Sequence, residues 1–317
     1  MQTARLLDFS QDKGLKESAV SSSSDEGVMP AAASAAALDS VPAAVPPAPR
    51  RGAVALWLAR NLPKMALGLF SVLLFIGFWY FATKYRWSMY IRFGNIPSPV
   101  DVFNEAMTLG KNADFYNNMV VSMRRILLGF GIATFAGVGL GLLIGRYRLM
   151  HNLFFPVMEM LRPIPAIAWV PISIMLWPTN ESSIVFITFI GSFFPILLNT
   201  VEGVFSLDKV LVRAARSLGA SEFALLKDVI LPGALPHIFT GLAVGMGVAW
   251  VSLIAAEMIS GQFGIGYFTW EAYSLIQYAD IVIGMIVIGV LGLACSGAIR
   301  LLGRLVMPWI SPNDGRS

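Results

Sequence analysis

The residues best spaced for chemistry are Arg213-Ala214-Ala215-Arg216-Ser217-Leu218-Gly219, followed by Val229-Ile230-Leu231-Pro232. Lys209, Arg213 and Arg216 recur at i, i+4 and i+7, so a helix gathers them on one basic face. Val210, Leu211, Ala214, Ala215 and Leu218 occupy the rest of that helix. Asp208 suits its N-cap, and Gly219, which tolerates positive φ, suits its end. Ser221 predicts the cap of a second helix with Glu222 in its first turn, and Pro232 predicts where that helix stops. The segment holds no nucleophile, base or metal ligands in a working pattern. Its chemistry is recognition, and two readings stand: a rigid knob that docks on another protein, or a surface helix lying on lipid headgroups.

Other chemistries find little support elsewhere. Cys295 is the single cysteine, so the chain can form no internal disulfide and no cysteine-based metal cluster. Its place in an apolar run suits a small packing residue. The two histidines, His151 and His237, lie near different loops without an H-E-x-x-H motif, and read as surface histidines. There is no G-x-x-x-x-G-K-[ST] phosphate loop, so the chain is not expected to bind ATP. A net charge of +4, spread over many flanks, does not point to nucleic acid.

The elements that must position the loop are membrane spans. Hydrophobic residues make up 56% of the 317 residues and charged residues 13%, about half the share in soluble domains. Mean hydropathy is +0.69. Six apolar stretches approach the roughly 20 residues a span requires. They are Met65–Thr83, Ile126–Gly145, Leu161–Trp177, Ser182–Val201, Ile238–Ala256 and Ile281–Ile299. The third contains Pro163, Pro165 and Pro171, and the fourth contains Pro195. Arg and Lys flank the spans mainly on one side: Arg50, Arg51, Arg60 and Lys64; Arg146, Arg148 and Arg162; Lys209, Arg213, Arg216 and Lys227; Arg300, Arg304 and Arg316. By the positive-inside rule both termini are expected in the cytoplasm. The loop 84–125 runs against this, with Lys84, Arg86, Arg92, Lys111, Arg124 and Arg125 on the outer side. Much of that loop is expected to be helical, starting with Ser98 as N-cap and Pro99 at the first helical position.

Residues 1–50 are rich in Ala, Pro and Ser, and such a composition buries too little apolar surface to offset the entropy of ordering. They read as a disordered cytoplasmic tail rather than a cleaved signal peptide. Gly137, Gly141 and Gly145 share one helix face, as do Gly241 and Gly245. That spacing serves close helix packing, or a moving interface. Polar and aromatic residues within the spans are candidates for an aqueous path: Ser192, Pro195, Asn199, Thr200, Trp250, Ser252 and Glu257. The serines and threonine have a plainer use in bonding back to their own helix. Glu257 is expected at an outer boundary, and Trp177, Trp250, Trp270 and Tyr273 suit interfacial anchoring.

The stretch Ala214, Ala215, three residues, Gly219, nine residues, Val229-x-Leu231-Pro232 resembles the "EAA" loop of binding-protein-dependent ABC importer permeases. Arg213 stands where that pattern has Glu, which leaves the spacing intact but removes the acidic group. Leu161-Arg162-Pro163-Ile164-Pro165-Ala166-Ile167-Ala168-Trp169-Val170-Pro171, Leu231 to Leu242 and Ala255-Ala256-Glu257-Met258 resemble the nitrate/sulfonate/taurine/bicarbonate subgroup. Gly264 to Tyr273 is most similar to its nitrate-type members.

The resemblance implies an all-α fold of six transmembrane helices, the type I ABC importer permease fold, in a bacterial inner membrane. It divides the chain into a tail (1–50), a first span with its outer loop (51–117), a permease core (118–310) with a coupling loop at 206–232, and a C-terminal tail (311–317). It implies a non-catalytic subunit without a cofactor of its own, paired with a second copy of itself. ATPase subunits would use ATP and Mg, and a solute-binding protein would deliver a small anion. Arg213, Ala214, Ala215, Arg216, Leu218, Gly219, Ala220 and Ser221 would contact the ATPase. A secondary transporter or channel is the competing reading, although the spans hold few charges at mid-depth.

Overall fold

The structure, a computed structural model, describes residues 51–86 and 96–309. The expected tails at 1–50 and 311–317 lie outside the described residues. Every element among the described residues is helical. They are α1 (Arg51–Lys84), α2 (Pro99–Leu109), α3 (Ala113–Arg146), α4 (Arg148–Leu161), α5 (Val170–Leu176), α6 (Asn180–Phe205), α7 (Lys209–Ser217), α8 (Glu222–Ala224), α9 (Leu231–Ser260), α10 (Ile265–Ser274) and α11 (Tyr278–Val306). By contact the chain divides into two units, residues 1–65 and 66–317. The second unit holds every helix from α2 to α11 and the greater part of α1.

Five helical runs are long and apolar enough to cross a membrane: Met65–Lys84, α3, α6, Glu222–Ser260 and α11. The expected third span is not one straight helix. α4 and the segment Ala166–Leu176 meet at 92°. Pro163 and Pro165 explain the break, since proline disfavours the helical conformation in the residue before it and cannot donate to the ladder. Pro165 instead caps a short 3-10 turn, Ala166–Trp169, and Pro171 sits in the first turn of α5, where no N–H is needed. The chain nevertheless crosses here. Arg146, at the end of α3, is bonded to Glu222, while Arg125 near its start is bonded to Glu181 of α6. The bent pair therefore carries the chain from one end of the bundle to the other.

α6 is the centre of the core. α3 and α9 pack along it, and both glycine stripes lie on those contacts. A Cβ on Gly141 would stand 2.6 Å from Cβ of Thr200, and one on Gly241 would stand 2.7 Å from Cβ of Asn199. The second span starts earlier than its apolar run suggests, at Ala113, capped by Asn112. α2 begins as expected. Ser98 accepts from the Asp101 amide at 3.2 Å, Asp101 accepts in return from the Ser98 amide at 3.1 Å, and Pro99 follows the cap.

Candidate functional site

Asp208 accepts a hydrogen bond from the Val210 amide at 2.8 Å and starts α7. Gly219 ends it with φ +83°. The Gly219 amide donates to the Arg216 carbonyl at 2.9 Å, and the Ala220 amide donates to the Ala215 carbonyl at 3.1 Å. This pair of bonds is the Schellman closure of a helix, and it requires the left-handed residue between them. Ser221 then accepts from the Ala224 amide at 3.2 Å and caps α8. Contrary to expectation, Pro232 does not end that second helix. A π-helical turn, Leu225–Ile230, leads directly into α9, with Pro232 in its first turn. The wider π turn falls just before a residue that cannot continue the i→i−4 ladder.

Glu222 fastens the corner between the two helices. It accepts from Arg216 of α7 at 2.7 Å and from Arg146, at the end of α3, at 2.6 Å. The loop is thus tied to a membrane span by an ion pair that its own residues complete. Sequence reasoning put Glu222 at a helix start but missed Arg146 as its partner. The signal available was an arginine closing an otherwise uncharged span.

α7 buries no residue completely. Lys209, Val212 and Arg213 turn toward the bundle, where they line a cavity with the ends of α3 and α6. The opposite face carries Val210, Leu211, Ala214 and Leu218, with Leu218 89% exposed. α7 thus turns its apolar face away from the bundle.

The other expected site residues fall into two groups. Pro195 and Asn199 line a cavity of about 340 Å³ with Arg162, Pro165 and Val244. Asn199 also reaches a second cavity, of about 280 Å³, beside Arg162, Glu159 and Glu202. Its Nδ2 donates to the Pro195 carbonyl at 2.8 Å. Ser192, Thr200 and Ser252 instead lie between packed helices and donate to Thr188, Ile196 and Val248 carbonyls of their own helices. Trp250 is no interfacial anchor. It is buried in the apolar core with Ile126, Val170 and Leu253. The histidines are half-buried rather than on the surface. His151 stacks on Phe155 with its edge toward Phe205, and the His237 side chain packs over Gly203.

Glu257 lies at a boundary of the bundle, as expected, but not as an interfacial carboxylate. It is fully buried, at the end of the bundle opposite α7. Its carboxylate accepts from Arg125 Nη1 at 2.9 Å, from Ser122 at 2.8 Å and from the Gly266 amide at 2.9 Å. Ser122 in turn accepts from the Ile265 amide, and Asn118 accepts from the Gly264 amide. The unpaired amides at the start of α10 are therefore met by side chains of α3 and α9. Gly264 has φ +114°, and any side chain there would run into the Glu257 carboxyl. Arg125 also donates to Glu181 and to the Phe263 carbonyl. Glu257 and Ser122 form the buried part of this clamp, while Arg125 and the half-exposed Glu181 also line a cavity of about 540 Å³. Among the described residues, no three of His, Cys, Asp and Glu come together to hold a metal.

The sequence pattern of the family described as "Binding-protein-dependent transport system inner membrane component" matches residues 137–312, more than half of the chain. The chain belongs to that family. A nitrate import permease of Synechocystis sp. is 35% identical to this permease over 223 residues, covering 68% of this chain and 81% of the relative. A bicarbonate transport system permease of Synechococcus elongatus is 35% identical over 224 residues, covering 67% and 81%. A Methanocaldococcus jannaschii protein named as an ABC transporter permease is 41% identical over 194 residues, covering 61% and 73%. The chain is thus a multi-pass membrane permease of the ABC importer class, in the subgroup that includes nitrate and bicarbonate permeases.

Proposed function

We propose that this permease is the membrane subunit of an ATP-driven importer that moves a small anion across the membrane, with α7 as the element that receives force from a separate ATPase. The observation that carries the reading is the outward apolar face of α7 on a corner locked by Gly219 and tied to α3 through Glu222. A rigid knob with an uncovered apolar face is suited to a protein groove. A loop bonded to a span can transmit displacement to it. Ala214 and Leu218 lie on the docking face, Ala215 and Arg216 flank it, and Gly219, Ala220 and Ser221 fix the corner. Arg213 lies on the bundle side of α7.

In this reading the α7 end of the bundle is cytoplasmic, as are both termini. A solute-binding protein delivers the anion at the opposite end, and a second copy of the chain completes the path. ATP and Mg are bound by the ATPase. The cavity at Pro195 and Asn199, beside the bend between α4 and α5, is the part of this chain best placed to line the route. Nitrate leads as substrate because of the Gly264 to Tyr273 resemblance and the nitrate-permease relatives, with bicarbonate and sulfonates such as taurine behind it.

The test is purification of the detergent-solubilised chain from its native membrane, with ATPase activity assayed in the eluate. An ATPase that co-purifies with the parent chain and is lost with Gly219→Val is the expected result. Uptake of nitrate, bicarbonate and taurine by the reconstituted complex then ranks the substrates. Solute movement driven by an ion gradient, with no ATPase bound, would overturn the reading in favour of a secondary transporter.

A further inference from the structure

We infer that the cavity between α7 and the bundle binds the headgroup phosphate of an anionic phospholipid, held by Arg146, Lys209 and Arg213. The cavity measures about 400 Å³, and three cationic but no acidic side chains line it. Of the cations at the cavity's rim, Arg146 pairs with Glu222, which also pairs with Arg216. Lys209 and Arg213 have no such partner among the described residues. Two exposed cations therefore face a shared space with no carboxylate in its walls to neutralise them.

The depth of the cavity selects the occupant. Gly145 and Arg146 close one span and Val204 and Phe205 close another, so the cavity lies where hydrocarbon gives way to headgroups. Arg146 lies over the ring of Tyr147, 5.6 Å from its centroid, and tyrosine is a residue enriched at membrane–water interfaces. The remaining walls, Val204, Phe205, Val212 and Ile230, are apolar and suit the glycerol and first acyl carbons. A protein docked on the outward face of α7 does not fill this space, because the cations lie on the opposite side of the helix. A lipid phosphate at the span ends reaches it directly. Held there, the headgroup wedges α7 against α3 and α6, so the anionic content of the membrane sets how firmly the loop is braced.

The full-length chain, stripped of lipid in detergent, is titrated with acyl-labelled phosphatidylglycerol and, separately, phosphatidylcholine. Phosphatidylglycerol should bind more tightly. The double variant Lys209→Gln/Arg213→Gln should weaken it about thirty-fold, from roughly 1 kcal/mol for each cation near an anionic headgroup, and leave phosphatidylcholine unchanged. Lys209→Arg/Arg213→Lys should restore binding, which separates charge from misfolding. Arg300→Gln/Arg304→Gln, with the same loss of charge at another span end, should not weaken it. Equal binding of the two lipids, or an unaffected double variant, overturns the inference. Displacement by millimolar inorganic phosphate overturns it in favour of a free-anion site. Loss of the co-purifying ATPase with lipid binding intact assigns the cations to the protein partner instead. That result would leave the docking reading standing, whereas Gly219→Val tests docking without touching the cations.

Discussion

At the scale of single residues, two positions carry sharp expectations. Gly219 has φ +83°, yet a Cβ there meets nothing within 4 Å. Substitution is therefore a question of backbone strain alone. Asparagine tolerates the left-handed region, alanine less so, and a β-branched residue is an outlier there. If α7 docks the ATPase as proposed, binding should fall in the order Gly219→Asn, Gly219→Ala, Gly219→Val, while the melting temperature of the chain changes less, because this exposed corner can relieve its strain by fraying locally. Equal loss for all three would mean that the partner reads the absent side chain rather than the turn. Glu257 makes the opposite case. Removing it leaves Arg125 buried with one of its two carboxylates gone, a change of about 3–5 kcal/mol when a buried pair is broken from one side. Glu181 is half-exposed, so water can replace it. Glu257→Ala should therefore lower the melting temperature in detergent well beyond Glu181→Ala, and similar losses would show that burial does not set the two carboxylates apart.

At the scale of helices, the glycine stripe of α3 has an internal control. Gly141 packs so closely on Thr200 that even a methyl group must push α3 from α6, while Gly139 faces open space on the same helix. Overpacking of this kind costs about 1–3 kcal/mol, whereas an exposed Gly→Ala exchange in a helix gains up to about 1 kcal/mol. Gly141→Ala should lower the melting temperature and Gly139→Ala should hold or raise it. This contrast also shows what the sequence makes legible. Spacing alone places Gly137, Gly141 and Gly145 on one face, because a helix has a fixed period. Local capping chemistry likewise places Ser98, Asp208, Gly219 and Ser221 at their turns. What spacing does not reveal is which distant residues meet. Arg125 and Glu257 are far apart in sequence, and their pairing depends on how α3 and α9 lie against α6. The bend after α4 is half-legible. Three prolines announce an interruption, but its angle follows from packing. Ser192, Thr200 and Ser252 donate to carbonyls of their own helices, the plainer of the two uses that polarity in a span allows.

At the scale of the whole molecule, burial is graded. Of the most apolar window in each span, 61% is buried in α6, 44% in the run containing α9, 28% in α3, 11% in α11 and 6% in α1. α6 is therefore a keel gripped by α3 and α9 through close glycine contacts, while α3 is clamped to α9 at one end by Glu257 and tied to the loop at the other by Glu222. On the proposed coupling role of α7, such a unit would transmit a push there by tilting as one body, not by flexing in the middle. Amide exchange in lipid nanodiscs tests this. Residues 184–201 should exchange slowest, and 209–221 fastest, in the chain alone. Adding the ATPase with a non-hydrolysable nucleotide should protect 209–223 and leave the middle of α6 unchanged. Faster exchange within 184–201 on nucleotide binding would sink the rigid-body reading. It would mean that the α3–α6 and α6–α9 contacts part during the cycle, and that the glycine stripes are sliding surfaces rather than fixed ones.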